Sequence, residues 1–221
     1  FKHVGKVYGV APRNADRIIN TYLDRPRNTG VLLHGEKGSG KTMLARLLGM
    51  KMGELGYPTI VVNAPFKGDG FNKFIQTIDQ PALVLFDEFE KIYHNRGDNE
   101  GSQEKLLTLF DGIYLGKKLF VLTCNDMYRI DNFMRNRPGR IYYSISYKGL
   151  DIEFIREYCE DILNEKKHVE SVCKISALFT DFNFDMLSAL CEEMNRYGDT
   201  PEQALALLNA KPENSNNAHY D

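Results

Sequence analysis

Residues Gly35–Thr42 read GEKGSGKT, a full match to the phosphate-loop pattern G-x-x-x-x-G-K-[ST]. The short apolar run Val31–Leu33 precedes this motif. Apolar residues then recur at helical spacing, at Met43, Leu44, Leu47 and Leu48. The order of strand, loop and helix is the arrangement that phosphate binding requires, whereas the plain alternative is a glycine-rich turn that only caps a helix.

Each residue type in the motif has an expected role. Gly35, Gly38 and Gly40 allow the backbone to curl, so that amide N–H groups point at the phosphates of a nucleotide. Lys41 is expected to reach the terminal phosphates, and the Thr42 hydroxyl to ligate Mg²⁺. The predicted ATP-binding set is Gly35, Glu36, Lys37, Gly38, Ser39, Gly40, Lys41, Thr42 and Met43. A dinucleotide-binding loop is excluded because Met43 stands where its third glycine or alanine would be.

Composition permits this interpretation and restricts the partners. The 221 residues are 43% hydrophobic and 26% charged, with a net charge of −2, so no overall charge directs the chain to nucleic acid or to a membrane. The four cysteines show no C-x-x-C spacing, which favours core residues in a reducing cytoplasm over metal ligands. No apolar stretch reaches the roughly 18 residues of a membrane span, and no membrane partner is expected.

A second acidic element follows a buried strand. The run Ala82–Phe86 is apolar throughout and ends in Asp87 and Glu88. Asp87 is expected to hold Mg²⁺ through its water shell, and Glu88 to orient or deprotonate the attacking water. The alternative is a pair of solvated acids at the start of the next helix, where the helix dipole favours them.

Polar residues also follow a third strand pattern, Leu119–Thr123. Asn125 at its end could polarise the attacking water opposite Glu88, or could simply form a turn. Further on, Arg135, Arg137 and Arg140 surround Pro138-Gly139. Fixed cations of this kind neutralise charge in phosphoryl transfer, and the alternative is a basic surface turn.

Together these elements resemble the AAA+ ATPases, and within them the AAA clade proper. The segments GEKGSGKT, LVLFDE, SQEKLLTLFDG, VLTCND and RPGR occur in the order and spacing of that family, over about the first 145 residues. The resemblance implies an ATP-hydrolysing motor that assembles into a ring, expected to be a hexamer, with ATP and Mg²⁺ bound between neighbouring subunits.

The resemblance also implies roles for individual residues. Asp87 and Glu88 match the Walker B pair, Asn125 matches sensor 1, and Arg137 and Arg140 match the two arginines that act on the ATP of the next protomer. Six positions separate Asp131 from Arg137, one more than is usual in the family, so the principal finger among Arg135, Arg137 and Arg140 stays open. The stretch Lys6–Val10 falls where the family wraps the adenine.

The pattern changes to helices from about Gly149. Two apolar stripes at helical spacing and a capping box, formed by Thr200 and Gln203 with Pro201 in the first turn, predict an all-helical region. It is similar to the helical lid of the family, although periodicity alone is compatible with any helical domain. We therefore expect an ATPase core at 1–148, a lid at 149–209 and a flexible polar tail at 210–221.

The candidate substrate-binding residues are Phe66, Lys67 and Gly68. In family members the corresponding loop lines the central pore, and an aromatic residue there grips a polypeptide. The alternatives are a turn whose Phe66 packs on its own domain, or a phosphate contact from Lys67. The polar segment His94–Gly101 could form a second pore loop or a solvated connection.

Three functions remain open from sequence alone. The first is a ring that remodels or threads a protein substrate, which the AAA-like segments and Phe66-Lys67-Gly68 favour. The second is a nucleic-acid motor or loader, although no basic stripe follows a helix. The third is a nucleotide-switched scaffold with little turnover, against which Glu88 argues.

The predicted fold class is α/β. We expect a phosphate-loop core of five mostly parallel strands near 30–34, 59–63, 82–86, 119–123 and 141–145, followed by the helical lid. Right-handed crossovers would place the loops after these strands at one edge of the sheet.

Overall fold

The computed structural model describes residues 6–65, 70–93, 103–111, 116–135 and 137–210. These residues divide into two compact units. The first holds Ala11–Gly35 and the described residues from Lys41 to Tyr147, and the second holds Lys6–Val10, Glu36–Gly40 and the described chain from Lys148 onward. The domain boundaries at 148 and 209 stay predictions, and the predicted tail lies outside the described residues except for Ala210.

The first unit is built on a five-stranded sheet. Its strands are β1 (Thr29–Gly35), β2 (Thr59–Val62), β3 (Ala82–Phe86), β4 (Lys118–Cys124) and β5 (Tyr143–Tyr147). They lie in the order β2-β3-β4-β1-β5, and all four pairings are parallel. The predicted α/β class with a parallel phosphate-loop sheet is therefore confirmed.

The last strand begins two residues later than predicted. The N–H groups of Arg140 and Ile141 both donate to the carbonyl of Arg137, at 2.8 and 3.0 Å, and so belong to a turn. Tyr142 N–H reaches Gly30 O at 2.8 Å, and the regular pairing with β1 starts at Tyr143. The turn that contains Pro138 takes up the N–H groups of Arg140 and Ile141, so that they do not bond to β1. Apolar periodicity in the sequence does not reveal such a turn.

Helices cover both faces of the sheet. Those of the first unit are α1 (Ala11–Asp24), α2 (Lys41–Glu54), α3 (Gly70–Gln76), α4 (Phe89–Ile92), α5 (Glu104–Asp111) and α6 (Asn132–Arg135). One core holds Leu32, Phe86 and Phe120 with residues of α3, α4 and α5. The other holds Val31 and Val121 with residues of α1 and α2. Burial on both faces explains why β3 and β4 are nearly continuous apolar runs.

The sheet brings three strand ends together. In the parallel register His34 of β1 lies opposite Cys124 of β4, and Phe86 of β3 lies opposite Leu122. The residues that follow β3 and β4 therefore emerge at the same edge, where open parallel sheets bind their ligands.

The second unit is helical. Its helices are α7 (Ile152–Ile162), α8 (Val169–Ser176), α9 (Phe184–Tyr197) and α10 (Pro201–Leu207). They pack around buried residues that include Ile155, Cys159, Val172, Leu187, Leu190 and Cys191. The capping box predicted at Thr200 and Gln203 is present. Within the described segments, every helix is too short or too polar to span a lipid bilayer.

Candidate functional site

The phosphate-loop motif contains three glycines in the left-handed region of φ. Gly35, Gly38 and Gly40 have φ of 136°, 79° and 100°. At Gly35 the space is also restricted, because a Cβ would lie 1.9 Å from the carbonyl oxygen of Tyr147 in β5. Backbone of this kind forms the concave amide nests that bind anions, so the loop fits a phosphate group.

Lys41 begins α2 with its ammonium held beside the loop. Its side chain is largely buried, and Nζ donates to Gly35 O at 2.6 Å. Burial, and secondly the Lys41 charge, lower the pKa of His34 at the end of β1, so this imidazole is neutral at pH 7. Thr42 is exposed in the first turn of α2, with Met43 after it.

Thr123 in β4 joins the two predicted acidic residues. Its hydroxyl donates to Asp87 Oδ1 at 2.7 Å and accepts the backbone N–H of Glu88 at 2.8 Å. Sequence reasoning missed Thr123, because a threonine inside a strand pattern looks like an ordinary β-branched strand residue. One hydroxyl therefore fixes both the carboxylate of Asp87 and the peptide of Glu88.

Glu88 is held in a strained backbone conformation. Its φ and ψ are both 52°, and it has the one positive φ among the described non-glycine residues. A left-handed conformation is unfavourable by about 1–2 kcal/mol for a residue with a Cβ. Glu88 Oε1 accepts from Lys91 Nζ at 2.6 Å and lies 3.4 Å from Asn125 Nδ2. The structure thus brings Asp87, Glu88 and Asn125 together.

Two further polar side chains support this edge of the sheet. Glu90 is 3% exposed, and its Oε1 accepts the backbone N–H of Asn125 at 2.9 Å. Gln103 is buried, donates to the carbonyls of Tyr93 and Arg129 at 3.1 and 2.7 Å, and accepts from Asp131 N–H at 2.7 Å. Sequence reasoning found neither residue, since a Glu or Gln beside a helix start is usually exposed.

The three candidate arginines have different environments. Arg140 is 9% exposed, and its Nε donates to both carboxylate oxygens of Asp111, at 2.9 and 2.8 Å. Arg135 is partly buried and donates to Asn132 Oδ1, whereas Arg137 is exposed. The guanidinium that is free to approach another molecule is therefore that of Arg137, because Arg140 is already held within its own chain.

The predicted substrate-contacting residues Phe66, Lys67 and Gly68 lie outside the described residues, as does the segment His94–Gly101. Their assignment to a pore stays a prediction.

In the second unit, the N-terminal segment Lys6–Val10 is anchored on α7. Gly9 N–H donates to Glu157 Oε2 at 2.9 Å, and the ring of Tyr8 lies 5.5 Å from those of Phe154 and Tyr158. The contact of this segment with the adenine of a nucleotide stays a prediction.

The part of the phosphate loop that belongs to the second unit, Glu36–Gly40, contacts the N-terminus of α9 at Gly38. The backbone N–H of Phe184, the first residue of α9, donates to Gly38 O at 3.3 Å. A Cβ on Gly38 would lie 3.3 Å from Cβ of Asn183, whose side chain caps Met186 N–H at 3.0 Å. Helix α9 therefore holds the middle of the loop.

Among the described residues, no cluster of three or more His, Cys, Asp or Glu side chains could hold a metal ion by itself. Mg²⁺ at nucleotide sites is commonly bound by one or two protein oxygens together with phosphate oxygens and water. The oxygen donors Thr42 and Asp87 fit that chemistry.

The family model for the ATPase family associated with various cellular activities (AAA) matches residues 31–147. Protein SAV of Sulfolobus acidocaldarius is 34% identical over 145 residues, which are 58% of this chain and 18% of that protein. The ribosome biogenesis ATPase RIX7 of Saccharomyces cerevisiae is 28% identical over 191 residues, 77% and 21% of the two chains. The peroxisomal ATPase PEX1 of Cricetulus griseus is 32% identical over 133 residues, 52% and 10% of the two chains.

The chain thus spans about a fifth or less of the length of these relatives. The region that matches the family model contains the phosphate loop, the acidic pair Asp87-Glu88, Asn125 and both arginines of the RPGR segment. The chain belongs to the AAA family of nucleotide-binding ATPases.

Proposed function

We propose that this chain is the ATP-hydrolysing module of a ring, expected to be a hexamer, that remodels or threads a protein substrate. The observation that carries the proposal is the meeting of three residues at the ends of β3 and β4: the Thr123 hydroxyl joins Asp87 to Glu88, and the side-chain amide of Asn125 lies 3.4 Å from Glu88 Oε1. A carboxylate for the metal, a carboxylate for the water and an amide beside it form the set that ATP hydrolysis needs.

Nucleotide binding is assigned to the phosphate loop. The loop amides and Lys41 would hold the phosphates, and Thr42 and Asp87 would hold Mg²⁺. When bound, Mg²⁺ neutralises phosphate charge. The hydrogen bond from Thr123 leaves Asp87 in one orientation, so that little of its rotational freedom remains to be lost when the metal binds.

Hydrolysis is assigned to Glu88 as the group that orients the attacking water and accepts its proton. The ammonium of Lys91 donates to Glu88 Oε1 at 2.6 Å and so restricts the position of this carboxylate. The strained backbone of Glu88 is retained by the hydrogen bond from its N–H to Thr123. Such strain is typical of residues whose position matters for chemistry.

The action of one subunit on its neighbour is assigned first to Arg137. It is exposed, whereas Arg140 is bound to Asp111 and is suited to hold the turn that presents Arg137. A direct role of Arg140 on the neighbouring ATP would require that its ion pair open first. Arg135 is the remaining candidate, and its bond to Asn132 gives it a position on α6.

A protein substrate is favoured over nucleic acid by the sequence, through the AAA-like segments and the Phe66-Lys67-Gly68 pattern. RIX7 is a ribosome biogenesis ATPase and PEX1 a peroxisomal ATPase. The proposed grip by Phe66, Lys67 and Gly68 rests on sequence alone. We assign the module to the cytoplasm because its four cysteines are free thiols, which suits a reducing compartment.

The experiment that tests this proposal compares the solution mass of Glu88→Gln protein with ATP and Mg²⁺ and without nucleotide, alongside wild-type ATPase rates. We expect wild-type turnover, no turnover in Glu88→Gln, and a nucleotide-dependent shift to a closed ring. Turnover that survives in Glu88→Gln would reject the role of Glu88. A variant that binds ATP and stays monomeric would reject the shared site and, with it, the threading ring.

A further inference from the structure

Glu90 is a carboxylate in an unfavourable place. It lies in α4 between Phe89 and Lys91, and its side chain is 3% exposed beside the aromatic core of the first unit. Burial of an ionisable group is unfavourable unless hydrogen bonds or charges compensate for the lost water. An apolar residue would fill this position with less penalty, so the carboxylate requires a separate explanation.

The explanation lies in what its oxygen contacts. Glu90 Oε1 accepts the backbone N–H of Asn125 at 2.9 Å, across 35 positions of the chain. This peptide comes directly after β4, where the ladder to β1 has ended at Cys124. Glu90 thus supplies the partner that the sheet no longer supplies, and it does so at the residue whose side chain lies 3.4 Å from Glu88.

Glu90, Asn125 and Glu88 form a continuous series of contacts. Glu90 and Glu88 belong to the same turn at the start of α4, and both carboxylates face Asn125, one at its backbone and the other at its side-chain amide. The same Glu90 charge acts on the neighbouring thiol: after burial, it is the next cause that raises the pKa of Cys124, to about 12. Cys124 therefore stays protonated at pH 7.

We propose that Glu90 is a positioning residue that fixes the peptide of Asn125 and thereby aims the Asn125 side chain at the attacking water beside Glu88. The inference rests on the proposed ATPase function. A hydrogen bond to a buried carboxylate is shorter and stronger than one between neutral groups, so it restricts the peptide more tightly than a turn would. A small displacement of a group that orients water slows chemistry without altering nucleotide binding.

The simple alternative is that Glu90 only ties α4 to β4. Such a tether would affect stability, whereas a positioning residue affects turnover through Asn125. The matched variants are Glu90→Gln, which keeps an oxygen acceptor, and Glu90→Met, which keeps the size and removes it. Asn125→Ala and the double variant Glu90→Met/Asn125→Ala complete a cycle that isolates the coupling.

The test measures kcat and KM for ATP, and amide hydrogen exchange at Asn125, in these proteins. We expect Glu90→Gln to stay within about threefold of wild-type kcat, and Glu90→Met to lose about tenfold or more at a KM within about twofold. Hydrogen exchange at the Asn125 backbone amide should be faster in Glu90→Met than in the wild type, and unchanged in Glu90→Gln. The kcat of the double variant should lie within about twofold of that of Asn125→Ala, because the effect of Glu90 acts through Asn125.

Results that contradict the role of Glu90 differ from results that contradict the proposed ATPase function. Faster exchange at Asn125 with unchanged kcat in Glu90→Met would reduce Glu90 to a tether and overturn the inference, as would fully additive losses in the double variant. If Glu90→Met does not fold, Glu90→Asp replaces it, because its carboxylate is one methylene too short to reach the peptide, and the same loss of kcat is expected. A wild-type chain without ATPase activity would overturn the proposed function itself.

Discussion

Arg140 and Asp111 form a two-oxygen ion pair inside the first unit. Nε of Arg140 donates to both carboxylate oxygens, at 2.9 and 2.8 Å, and the arginine is nearly buried. Asp111 is the last residue of α5, and Arg140 ends the turn that follows Pro138. The pair therefore ties the arginine-bearing turn to a helix on the face of the sheet.

This pairing predicts different effects for the two arginines of the RPGR segment. Arg140→Ala should lower the free energy of unfolding by about 2 kcal/mol, because hydrogen bonds to a charged group are lost. Arg137→Ala, at an exposed position, should change the free energy of unfolding by less than about 0.5 kcal/mol and, if the proposed ring forms, abolish most of its ATPase activity. Urea unfolding and ATPase rates of both variants check this. Equal stability losses would contradict the structural role of Arg140.

Thr123→Val should remove the two hydrogen bonds that join Asp87 and Glu88 to β4. Valine keeps the shape of the side chain but removes the hydroxyl, so Asp87 loses a donor and the Glu88 N–H loses its acceptor. We expect a loss of about 1–3 kcal/mol in stability, and a fall of about tenfold or more in Mg²⁺-dependent turnover. Thr123→Ser keeps the hydroxyl and is the control. A fully active Thr123→Val protein would show that the hydroxyl has no part in placing Asp87 and Glu88.

The contact between α9 and the phosphate loop can be removed by a single substitution. Phe184→Pro deletes the N–H that donates to Gly38 O, and proline is tolerated at the first position of a helix. Asn183 before it is already extended, with φ −110° and ψ 174°, as a residue before proline requires. Phe184→Ala is the matched control, because it loses the aromatic ring and keeps the N–H.

We expect Phe184→Pro to bind ATP about fivefold more weakly than Phe184→Ala, which corresponds to about 1 kcal/mol for one hydrogen bond. Titration calorimetry of the two variants measures the difference. Equal affinities would show that the loop keeps its conformation without α9.

The half-buried imidazole of His34 predicts a pH dependence of stability. Burial, and then the Lys41 charge, lower its pKa in the folded chain below the ordinary value of about 6.5. The unfolded chain therefore binds the proton first as pH falls. The stabilisation is complete above about pH 6.5 and is lost as pH falls from there through the folded pKa. Unfolding curves between pH 7.5 and about 5 should show a drop that is smaller in His34→Gln, and an identical profile in that variant would contradict the assignment.

Some features of the site were predictable because neighbours along the chain create them. The phosphate loop needs glycines at fixed positions to let the backbone curl, and Gly35, Gly38 and Gly40 all have positive φ. The strand-end positions of Asp87 and Asn125 followed from apolar runs that end in polar residues. The late start of β5 was not predictable in this way, because the amides of Arg140 and Ile141 are taken by the carbonyl of Arg137.

The sequence by itself determined the α/β class, the parallel sheet, the phosphate loop and the membership of the AAA family, because local motifs and apolar periodicity carry that information. Tertiary structure alone decided which side chains support the site. Thr123 and Glu90 contact residues 35 or 36 positions away along the chain. Gln103 reaches Arg129 from 26 positions away, and Arg140 pairs with Asp111 from 29. A polar residue acquires such a partner only when strands and helices distant in sequence pack together, and no local pattern records that event.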